Sequence, residues 1–310
     1  MRFLIEKQDD GRLIRDHLRM LGVSGRLSAR LKQREDGILL NGRRVTVRAV
    51  LHTGDVLELG IEEKEPPLHV VPRDIPVDVL METPHLLVVN KASNTPTHPS
   101  HGHYEDTLAN ALAFRFGSDD APFRPRFINR LDRNTTGIVL VARHALSAAA
   151  LHAAMAEGRI QKSYLALVQG RASSTVIKSG IRRRQQSVIF REVCSVEEGD
   201  YAETAVELLA ANDDFSLVRL VPKTGRTHQL RVHMAWIGHP LLGDELYGDG
   251  AGMTRHALHA ACLTFPLHGS GEAVTVRAPL PQDMKEKIAL LGKEAIRLAQ
   301  KESGQTSAEL

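Results

Sequence analysis

The chain has 310 residues, of which 42% are hydrophobic and 25% are charged. This composition is typical of a folded protein with a large core and excludes a disordered chain, and the length corresponds to about two domains. The two cysteines, Cys194 and Cys262, form no CxxC pair, which argues against a disulfide framework. The amino terminus lacks the apolar stretch of a secretory signal, and no run approaches the roughly 18 apolar residues of a membrane span. We therefore predict a cytoplasmic protein that does not enter a membrane.

The net charge is only +3, but the charges are unevenly distributed along the chain. Residues 1–60 carry 12 Lys and Arg against 8 Asp and Glu, whereas residues 61–123 carry 4 against 10. Positive charge returns in two arginine groups, which are Arg124, Arg126, Arg130 and Arg133, and then Arg182, Arg183 and Arg184. Clustered arginine is typical of surfaces that bind nucleic-acid phosphates, and a solvated surface with scattered arginine is the alternative.

Residues 1–61 carry the signals of a small α/β module. Apolar residues at helical spacing predict a helix over 12–22, and a second short helix is predicted over 28–34. An Asn-Gly pair lies between the apolar runs of segment 38–47, and this combination is a strong hairpin signal. A further strand is predicted at 56–59. The module is therefore expected to be two helices followed by a hairpin.

From residue 76 onward, predicted strands follow one another with few helices between them. The predicted strands cover 77–81, 86–90, 138–142, 163–168, 186–193, 203–210, 215–221, 257–265 and 273–278. The predicted helices cover 106–115, 145–157, 227–237 and 282–301. This order favours an α+β fold with a mixed, largely antiparallel central sheet and flanking helices. The preceding residues 62–75, rich in Glu, Lys and Pro, predict an exposed linker, and residues 302–310 predict a mobile tail.

The segment NRLDRNTTG at 129–137 places an aspartate between two arginines and just before an apolar strand. The Asn, Thr and Gly that follow Asp132 favour a turn, so its carboxylate is expected on a loop at a sheet edge. The flanking cations, Arg130 and Arg133, favour the ionised form, which can act as a nucleophile. The alternative from this pattern alone is an aspartate that caps the turn and pairs with arginine.

A second cluster, KTGRTHQLRVH at 223–233, combines a turn glycine with the start of a helix. Thr227 is the expected N-cap of this helix, and its apolar stripe begins at Leu230. Arg231 lies off the stripe and near the helix start, where it can face a cleft. The alternative is that Arg231 is a surface cation on an amphipathic helix.

A third cluster, KSYLALV at 162–168, predicts a strand on which Lys162 and Tyr164 share one face. A tyrosine in such a strand can line an active site, but core packing with a bonded hydroxyl is the alternative.

Three histidines, His98, His101 and His103, lie just before Glu105 and Asp106 and could indicate a metal site. Prolines interrupt this segment, and the acids do not stand at a recognisable ligand spacing. Asp106 is instead the expected N-cap of the following helix. We predict no metal site, with a metal-dependent hydrolase as the alternative.

Together and in this order, the three clusters resemble those of the RluA-type pseudouridine synthases. That family carries His-Arg-Leu-Asp-x-x-Thr-Ser-Gly, a Lys-x-Tyr strand, and Gly-Arg-Thr-His-Gln-Ile/Leu-Arg-Val-His, where this chain reads NRLDRNTTG, KSYLALV and GRTHQLRVH. The resemblance also includes HLLVVNKASNTPTHPS and ALHAACLTF, and it spans about residues 76–280. Residues 1–61 resemble the ribosomal-protein-S-four-type RNA-binding domain that is often fused to these enzymes.

The resemblance implies a pseudouridine synthase fold over residues 76–301 and an enzyme that isomerises uridine within structured RNA without a cofactor. It implies catalytic roles for Asp132, Tyr164 and Arg231. The substrate-binding residues that it implies are Arg130, Arg226, His228, Gln229 and Leu258. The partner expected from the family is ribosomal RNA, and we expect a monomer. An RNA-binding protein that acts without catalysis is the main alternative, although such a protein could lose the three catalytic residues.

Two positions depart from the family pattern. Asn129 stands where the family usually has His, and KASN at 91–94 stands where Lys-Pro-Ala-Gly is common. The usual His is not assigned the central chemistry, so we expect the change at Asn129 to affect how the loop contacts substrate.

Overall fold

The structure is a computed structural model that describes residues 1–23, 25–60, 70–118, 122–185, 187, 189–267 and 272–304. Residues before 61 contain a four-stranded antiparallel sheet with strand order β1-β4-β2-β3. Its strands are β1 (Arg2–Leu4), β2 (Ile38–Leu40), β3 (Arg43–Arg44) and β4 (Val56–Leu59). Its helices are α1 (Ile14–Met20) and α2 (Gly25–Gln33).

The two helices and the hairpin predicted for this module are confirmed, with shifted ends. The hairpin closes at once, because Asn41 and Gly42 both have positive φ angles of 51° and 76° and form a two-residue turn. The returning strand is therefore β3, and it ends before the second apolar run of segment 38–47, which was expected to form that strand. Strand β1 was missed, because it is only three residues long and pairs with the distant β4. The predicted linker falls partly outside the described residues, and residues 70–75 form neither helix nor strand.

The larger part of the described chain is an 11-stranded sheet. Its strands are β5 (Asp78–Glu82), β6 (Leu86–Lys91), β7 (Arg126–Phe127), β8 (Thr136–Ala142), β9 (Gln161–Gln169), β10 (Thr175–Arg183), β11 (Arg191–Cys194), β12 (Asp200–Ala211), β13 (Phe215–Pro222), β14 (Leu258–Pro266) and β15 (Ala273–Arg277). The main order is β11-β10-β12-β13-β9-β14-β8-β6-β5, with β15 beside β14 and β7 beside β8. Only β8 and β14 pair in parallel among these described strands. The predicted fold class is confirmed.

Helices cover both faces of this sheet. They are α3 (Leu108–Phe116), α4 (Ala145–Ala156), α5 (Gln229–Trp236), α6 (Gln282–Ala289) and α7 (Lys293–Ser303). Alternate residues of a strand point to opposite faces. On β9, Tyr164 and Ala166 join the core under α3 and α5, whereas Leu165 and Leu167 join the core under α6 and α7.

Two predicted elements of the larger part differ from the structure, and its strands β7 and β10 were missed. Strand β10 was missed because Ser179 and Gly180, both weak strand formers, lie in its middle. The helix predicted over 282–301 is two helices, since Gly292 adopts φ +92° between α6 and α7, and α7 extends into the predicted tail. The strand predicted at 186–193 begins only at β11, and residues 305–310 lie outside the described part of the chain.

Helix α4 of the larger part contacts the first module. Leu146 has no exposed surface and lies in the same hydrophobic cluster as the core residues of the first module, including Ile14 and Leu18. A Cβ atom on Gly22 would lie only 3.0 Å from Ala150 Cα, so the backbone of the first module at Gly22 lies close to α4. The far end of α4 contributes Met155 and Ala156 to a cleft in the large sheet. One helix therefore links the module to this cleft.

Candidate active site

The cleft has a volume of about 570 Å³ and collects residues from the three clusters of the sequence. Its lining includes Arg130, Asp132, Lys162, Tyr164, Arg226, His228, Gln229, Arg231 and Leu258. All eight residues predicted for catalysis or substrate binding, together with Lys162, are therefore brought to one place.

Asp132 lies on the loop between β7 and β8, as the turn residues predicted. Thr135 donates its backbone N–H to the Asp132 carbonyl at 3.1 Å and closes the turn. Thr97 bonds both backbone groups of Leu131: its hydroxyl donates to the carbonyl at 3.0 Å and accepts the N–H at 3.3 Å. After the loop, Gly137 has φ +106°, and a Cβ there would lie 2.3 Å from the Ala260 carbonyl oxygen. Only glycine permits this close approach of β8 to β14.

Asn129 joins the start of this loop to β8. Its Nδ2 donates to the Ile138 carbonyl at 3.0 Å, and its Oδ1 accepts the Leu140 N–H at 2.8 Å. Both polar ends of the side chain are thus satisfied by strand backbone.

Lys91 joins the other end of the loop to the end of β6. Its ammonium donates to the carbonyls of Ala92, Thr95 and Arg133 at 2.8, 2.8 and 2.9 Å. Burial lowers the pKa of Lys91 to about 7, and the negative charge of Asp132 opposes this shift. Three carbonyls each accept a hydrogen from Lys91, and only the protonated ammonium has three hydrogens to donate. The positive charge of Lys91 therefore has a structural role beneath the loop.

Arg231 comes from α5 and contacts two carboxylates. Its Nη1 donates to Asp132 Oδ2 at 3.1 Å, and its Nε and Nη2 donate to the two oxygens of Asp244, each at 2.8 Å. The Asp244 side chain is fully buried, whereas 21% of the Asp132 side chain is exposed to the cleft. The alternative of a surface cation is therefore wrong, and Arg231 is a buried link between an interior carboxylate and an accessible one.

The electrostatics of the Arg231–Asp244 pair favour the charged form of both side chains. Burial acts against the charge of Arg231, but hydrogen bonding and the charges of Asp244 and Asp132 raise its pKa above the ordinary value. Burial likewise opposes ionisation of Asp244, yet the Arg231 guanidinium holds the Asp244 pKa below its ordinary value. Asp244 Oδ1 also accepts the N–H groups of Leu246 and Tyr247 at 3.0 and 3.1 Å, which fixes the carboxylate in its turn.

His228 and Tyr247 form a second layer beside Asp132. His228, not the predicted Thr227, is the residue that precedes α5, and its φ of 58° is left-handed. Its Nδ1 lies 2.9 Å from the Tyr247 hydroxyl, and its Nε2 lies 3.9 Å from Asp132 Oδ2. Burial lowers the His228 pKa, which favours a neutral ring. The Tyr247 ring also lies under the Arg231 guanidinium, at 5.2 Å.

Tyr164 on β9 lies in the wall of the cleft with only 8% of its surface exposed. Burial and the charge of Asp132 raise the pKa of its phenol, so the hydroxyl stays protonated at neutral pH. Leu258 at the start of β14 lines the same cleft and is also buried. A neutral ring and an aliphatic side chain suit the binding of a flat base.

The remaining predicted substrate-binding residues differ in how accessible they are. Arg130 and Arg226 are exposed, and Arg226 Nε donates to the Tyr201 carbonyl at 3.0 Å. Gln229 is buried, with its amide donating to Glu203 and Thr204 and accepting from Thr224 and Arg226. This amide is fully occupied within the protein, which favours a structural role for Gln229 over the substrate contact that was predicted.

Sequence reasoning missed Asp244, Tyr247 and Lys91. Asp244 and Tyr247 lie in the segment GDELYG, which belongs to none of the three clusters. The signal in the sequence was an aspartate directly after Gly243. In the structure Gly243 has φ +70°, and a Cβ there would lie 2.1 Å from the Arg255 carbonyl oxygen. The side chain of the next residue, Asp244, is fully buried, and a buried carboxylate needs a cation.

The histidines before α3 are not gathered into a metal site. His103 Nδ1 lies 2.5 Å from Asp106, and the His98 ring packs edge-on against Phe127 at 4.5 Å. Among the described residues, no group of three or more His, Cys, Asp or Glu side chains could hold a metal ion. The N-cap of α3 is Thr107 and not the predicted Asp106. Within the same residues, no helix has both the length and the apolar character to cross a membrane.

Comparison with known proteins identifies the family. The family described as RNA pseudouridylate synthase matches residues 85–236. The uncharacterized RNA pseudouridine synthase YjbO of Bacillus subtilis is 36% identical over 278 residues, which are 89% of this chain and 98% of that protein. This chain belongs to the RluA-type RNA pseudouridine synthases. The predicted activity, an isomerase that converts uridine to pseudouridine in RNA, is confirmed.

Two further relatives of this RNA pseudouridine synthase cover most of its length. Ribosomal large subunit pseudouridine synthase D of Zymomonas mobilis is 35% identical over 245 residues, which are 73% of this chain and 76% of its own. The solved structure of Human RNA Pseudouridylate Synthase Domain Containing 1 is 30% identical and has a TM-score of 0.55. It covers 70% of this chain and 86% of the human chain, which supports the fold.

Proposed function

We propose that Asp132 is the catalytic carboxylate of this pseudouridine synthase and that its substrate is structured ribosomal RNA. One observation carries the assignment of the residue. Asp132 is the carboxylate that is both exposed to the cleft and bonded to Arg231, while Asp244 holds the other edge of that guanidinium. The site therefore presents one accessible, charge-paired carboxylate.

The reaction suits this arrangement. The N1–C1′ bond of uridine must break, the uracil must turn, and C5 must bond to C1′, while a proton leaves C5 and N1 gains one. An ionised carboxylate can attack the sugar or the base, or remove a sugar proton. Arg231 would aim the Asp132 carboxylate, because the fixed pair with Asp244 leaves Nη1 directed at Asp132.

The walls of the cleft are suited to an extruded base. A uridine within a helix is inaccessible, so it must be flipped out at a cost of a few kcal/mol. Tyr164 and Leu258 would contact the flipped uracil and offset part of this cost by stacking and apolar contact. Arg130, exposed at the rim, would enter the RNA stack where the base leaves.

The first module would add a second RNA contact. Its resemblance to the S-four-type domain and its excess of basic residues support RNA binding through phosphates. Ribosomal RNA is the target we propose because a relative is described as ribosomal large subunit pseudouridine synthase D. We propose that the protein acts as a monomer in the cytoplasm.

Mapping pseudouridines in RNA tests the proposal directly. Ribosomal RNA from a strain lacking the gene would be compared after complementation with the natural chain, with Asp132→Asn, and with Asp213→Asn, a change at an exposed aspartate outside the cleft. We expect at least one ribosomal pseudouridine that only the natural chain and the Asp213→Asn control restore. Restoration by Asp132→Asn would contradict the assignment of the carboxylate, and loss confined to other RNAs would contradict the target.

A further inference from the structure

We propose that Asn129 is a positioning residue whose side chain completes the sheet beneath the active-site loop and so holds Arg130 in place for base flipping. This inference rests on the proposed function, in which Arg130 enters the RNA stack.

Strand β8 changes partners along one of its edges. Its first residues, Thr136 and Gly137, pair in parallel with β14. Its last residues, Val141 and Ala142, pair with β7. Strand β6 pairs with residues 137–142 along the opposite edge. The stretch between the two partners therefore lacks a neighbouring strand.

Ile128 and Asn129 fill this gap. The Ile128 N–H donates to the Leu140 carbonyl at 2.8 Å, which continues the ladder of β7 by one backbone bond. The chain then turns away toward the cleft, and the Asn129 amide replaces the missing backbone by binding the Ile138 carbonyl and the Leu140 N–H. A primary amide carries the same donor and acceptor as a peptide group, so it can substitute for one in a ladder.

The two groups that Asn129 satisfies are buried. Ile138 is 1% exposed and Leu140 is fully buried, so water cannot readily replace the lost bonds. Removing the amide would leave a donor and an acceptor unpaired in the core. We then expect the backbone of residues 128–130 to shift, because a shift would let the Ile138 carbonyl and the Leu140 N–H form other hydrogen bonds.

Arg130 depends on this anchor more than Asp132 does. Asp132 is also held by Arg231 and by the turn that Thr135 closes. The Arg130 side chain makes no hydrogen bond or ion pair with the described residues, although its charge acts on His98. Its direction is therefore set by the backbone, which Asn129 holds on one side and the Thr97–Leu131 bonds hold on the other.

Asn129→Ala, measured in the full chain, tests this role. The probe is a ribosomal RNA fragment that contains the mapped uridine with 2-aminopurine beside it, whose fluorescence reports flipping. We expect the flipping amplitude and the single-turnover rate to fall by about ten-fold or more, with the Kd for RNA within about three-fold. Asn90→Ala is the matched control. Asn90 lies on the adjacent β6, and its amide is bonded to Asp78 of β5. Removing this amide should leave the flipping amplitude and the single-turnover rate unchanged.

A double variant identifies the route. If Asn129 acts through Arg130, then Asn129→Ala should cause less than about a two-fold further loss when Arg130 is already alanine. Unchanged flipping and turnover in a folded Asn129→Ala protein, or an equal loss in both backgrounds, would overturn the inference. Should the alanine variant fail to fold, Asn129→Asp answers the same question, because it keeps the acceptor for Leu140 N–H and loses the donor to Ile138.

The outcomes for the two proposals are separable. Asp132→Asn is expected to flip the base normally and to form no product, whereas Asn129→Ala is expected to flip it poorly. Product formation by Asp132→Asn would contradict the proposed carboxylate whatever Asn129 does.

Discussion

Arg231 and Asp244 form a buried two-pronged ion pair, with both N–O distances at 2.8 Å. The geometry uses Nε and Nη2 of the guanidinium and leaves Nη1 for Asp132, at 3.1 Å. The orientation of the accessible carboxylate thus depends on one that never reaches the cleft.

Asp244→Asn is expected to slow turnover, although residue 244 does not contact the substrate. The change keeps the size of the side chain but removes the charge that fixes Arg231, and breaking a buried pair in this way costs about 3–5 kcal/mol. We expect the single-turnover rate to fall by about 100-fold and the melting temperature to drop, with RNA affinity nearly unchanged. Asp283→Asn is the comparison, because Asp283 binds Arg255 in the same two-pronged manner without contacting Arg231. Equal rates in the two variants would show that Asp244 acts only through stability.

Arg231→Met separates aiming of Asp132 from binding of RNA. The variant keeps much of the apolar stem and removes the cation, so we expect turnover to fall severely while the Kd for RNA stays close to that of the natural chain. Asp132→Asn should give the same pattern, since it removes the other half of the pair. Binding and single-turnover rate are measured on the same RNA, because slow product release would otherwise mask the chemical step. A weaker Kd with a normal rate would instead make Arg231 a phosphate contact.

Stability should decline as the pH falls below about 6.5. Burial lowers the pKa values of His233, His256 and His259 from 6.5 to about 4. The unfolded chain therefore binds these protons first, so stability is unaffected above 6.5 and is lost progressively down to about 4. Each histidine contributes a slope of up to roughly 1.4 kcal/mol per pH unit.

Urea unfolding between pH 7 and pH 5 measures this slope. His259→Gln should make the slope shallower, because it removes one of the three groups. The control is His52→Gln, a change at a histidine whose side chain is 70% exposed, and it should leave the slope as it was. If His259→Gln left the pH dependence of stability unchanged, this would contradict its attribution to the buried histidines.

Deleting residues 1–61 should weaken RNA binding and flatten its dependence on salt. Each lost phosphate contact is expected to reduce the log–log slope by about 0.7–0.9. The deletion also uncovers Leu146, which is fully buried against the first module, so the shortened protein should be less stable or less soluble than the full chain. Adding Leu146→Gln to the deletion should improve solubility without restoring affinity. An unchanged salt slope in the deletion would argue against an RNA-binding role for the module.

Much of the site could be predicted because its residues stand in short, ordered segments. Asp132, Tyr164 and Arg231 lie on a turn, a strand and a helix start, and local chemistry predicted each of these settings. Asp244 could not be assigned, because its significance comes from a contact with Arg231 that the fold alone creates. The ladder role of Asn129 was equally hidden, since it depends on where β7 and β14 stop along β8.

The fold shows the same division. Strands with alternating or continuous apolar residues, such as β6 and β13, were predicted near their true ends. Strand β10 was not, because its centre needs glycine: a Cβ on Gly180 would lie 2.1 Å from the Ser195 carbonyl oxygen. That requirement comes from the antiparallel pairing of β10 with β11, which places Gly180 opposite Cys194 and against Ser195, and no local sequence pattern reports this contact.

The place of Leu146 in the core of the first module has a consequence during protein synthesis. The ribosome adds residues 1–60 long before it reaches α4, yet Leu146 and its neighbour Ala145 pack against the core of that module. The nascent module must therefore lack this contact until more than 80 further residues have been added. Slow translation through this interval would prolong the exposure of its apolar surface to chaperones and to other nascent chains.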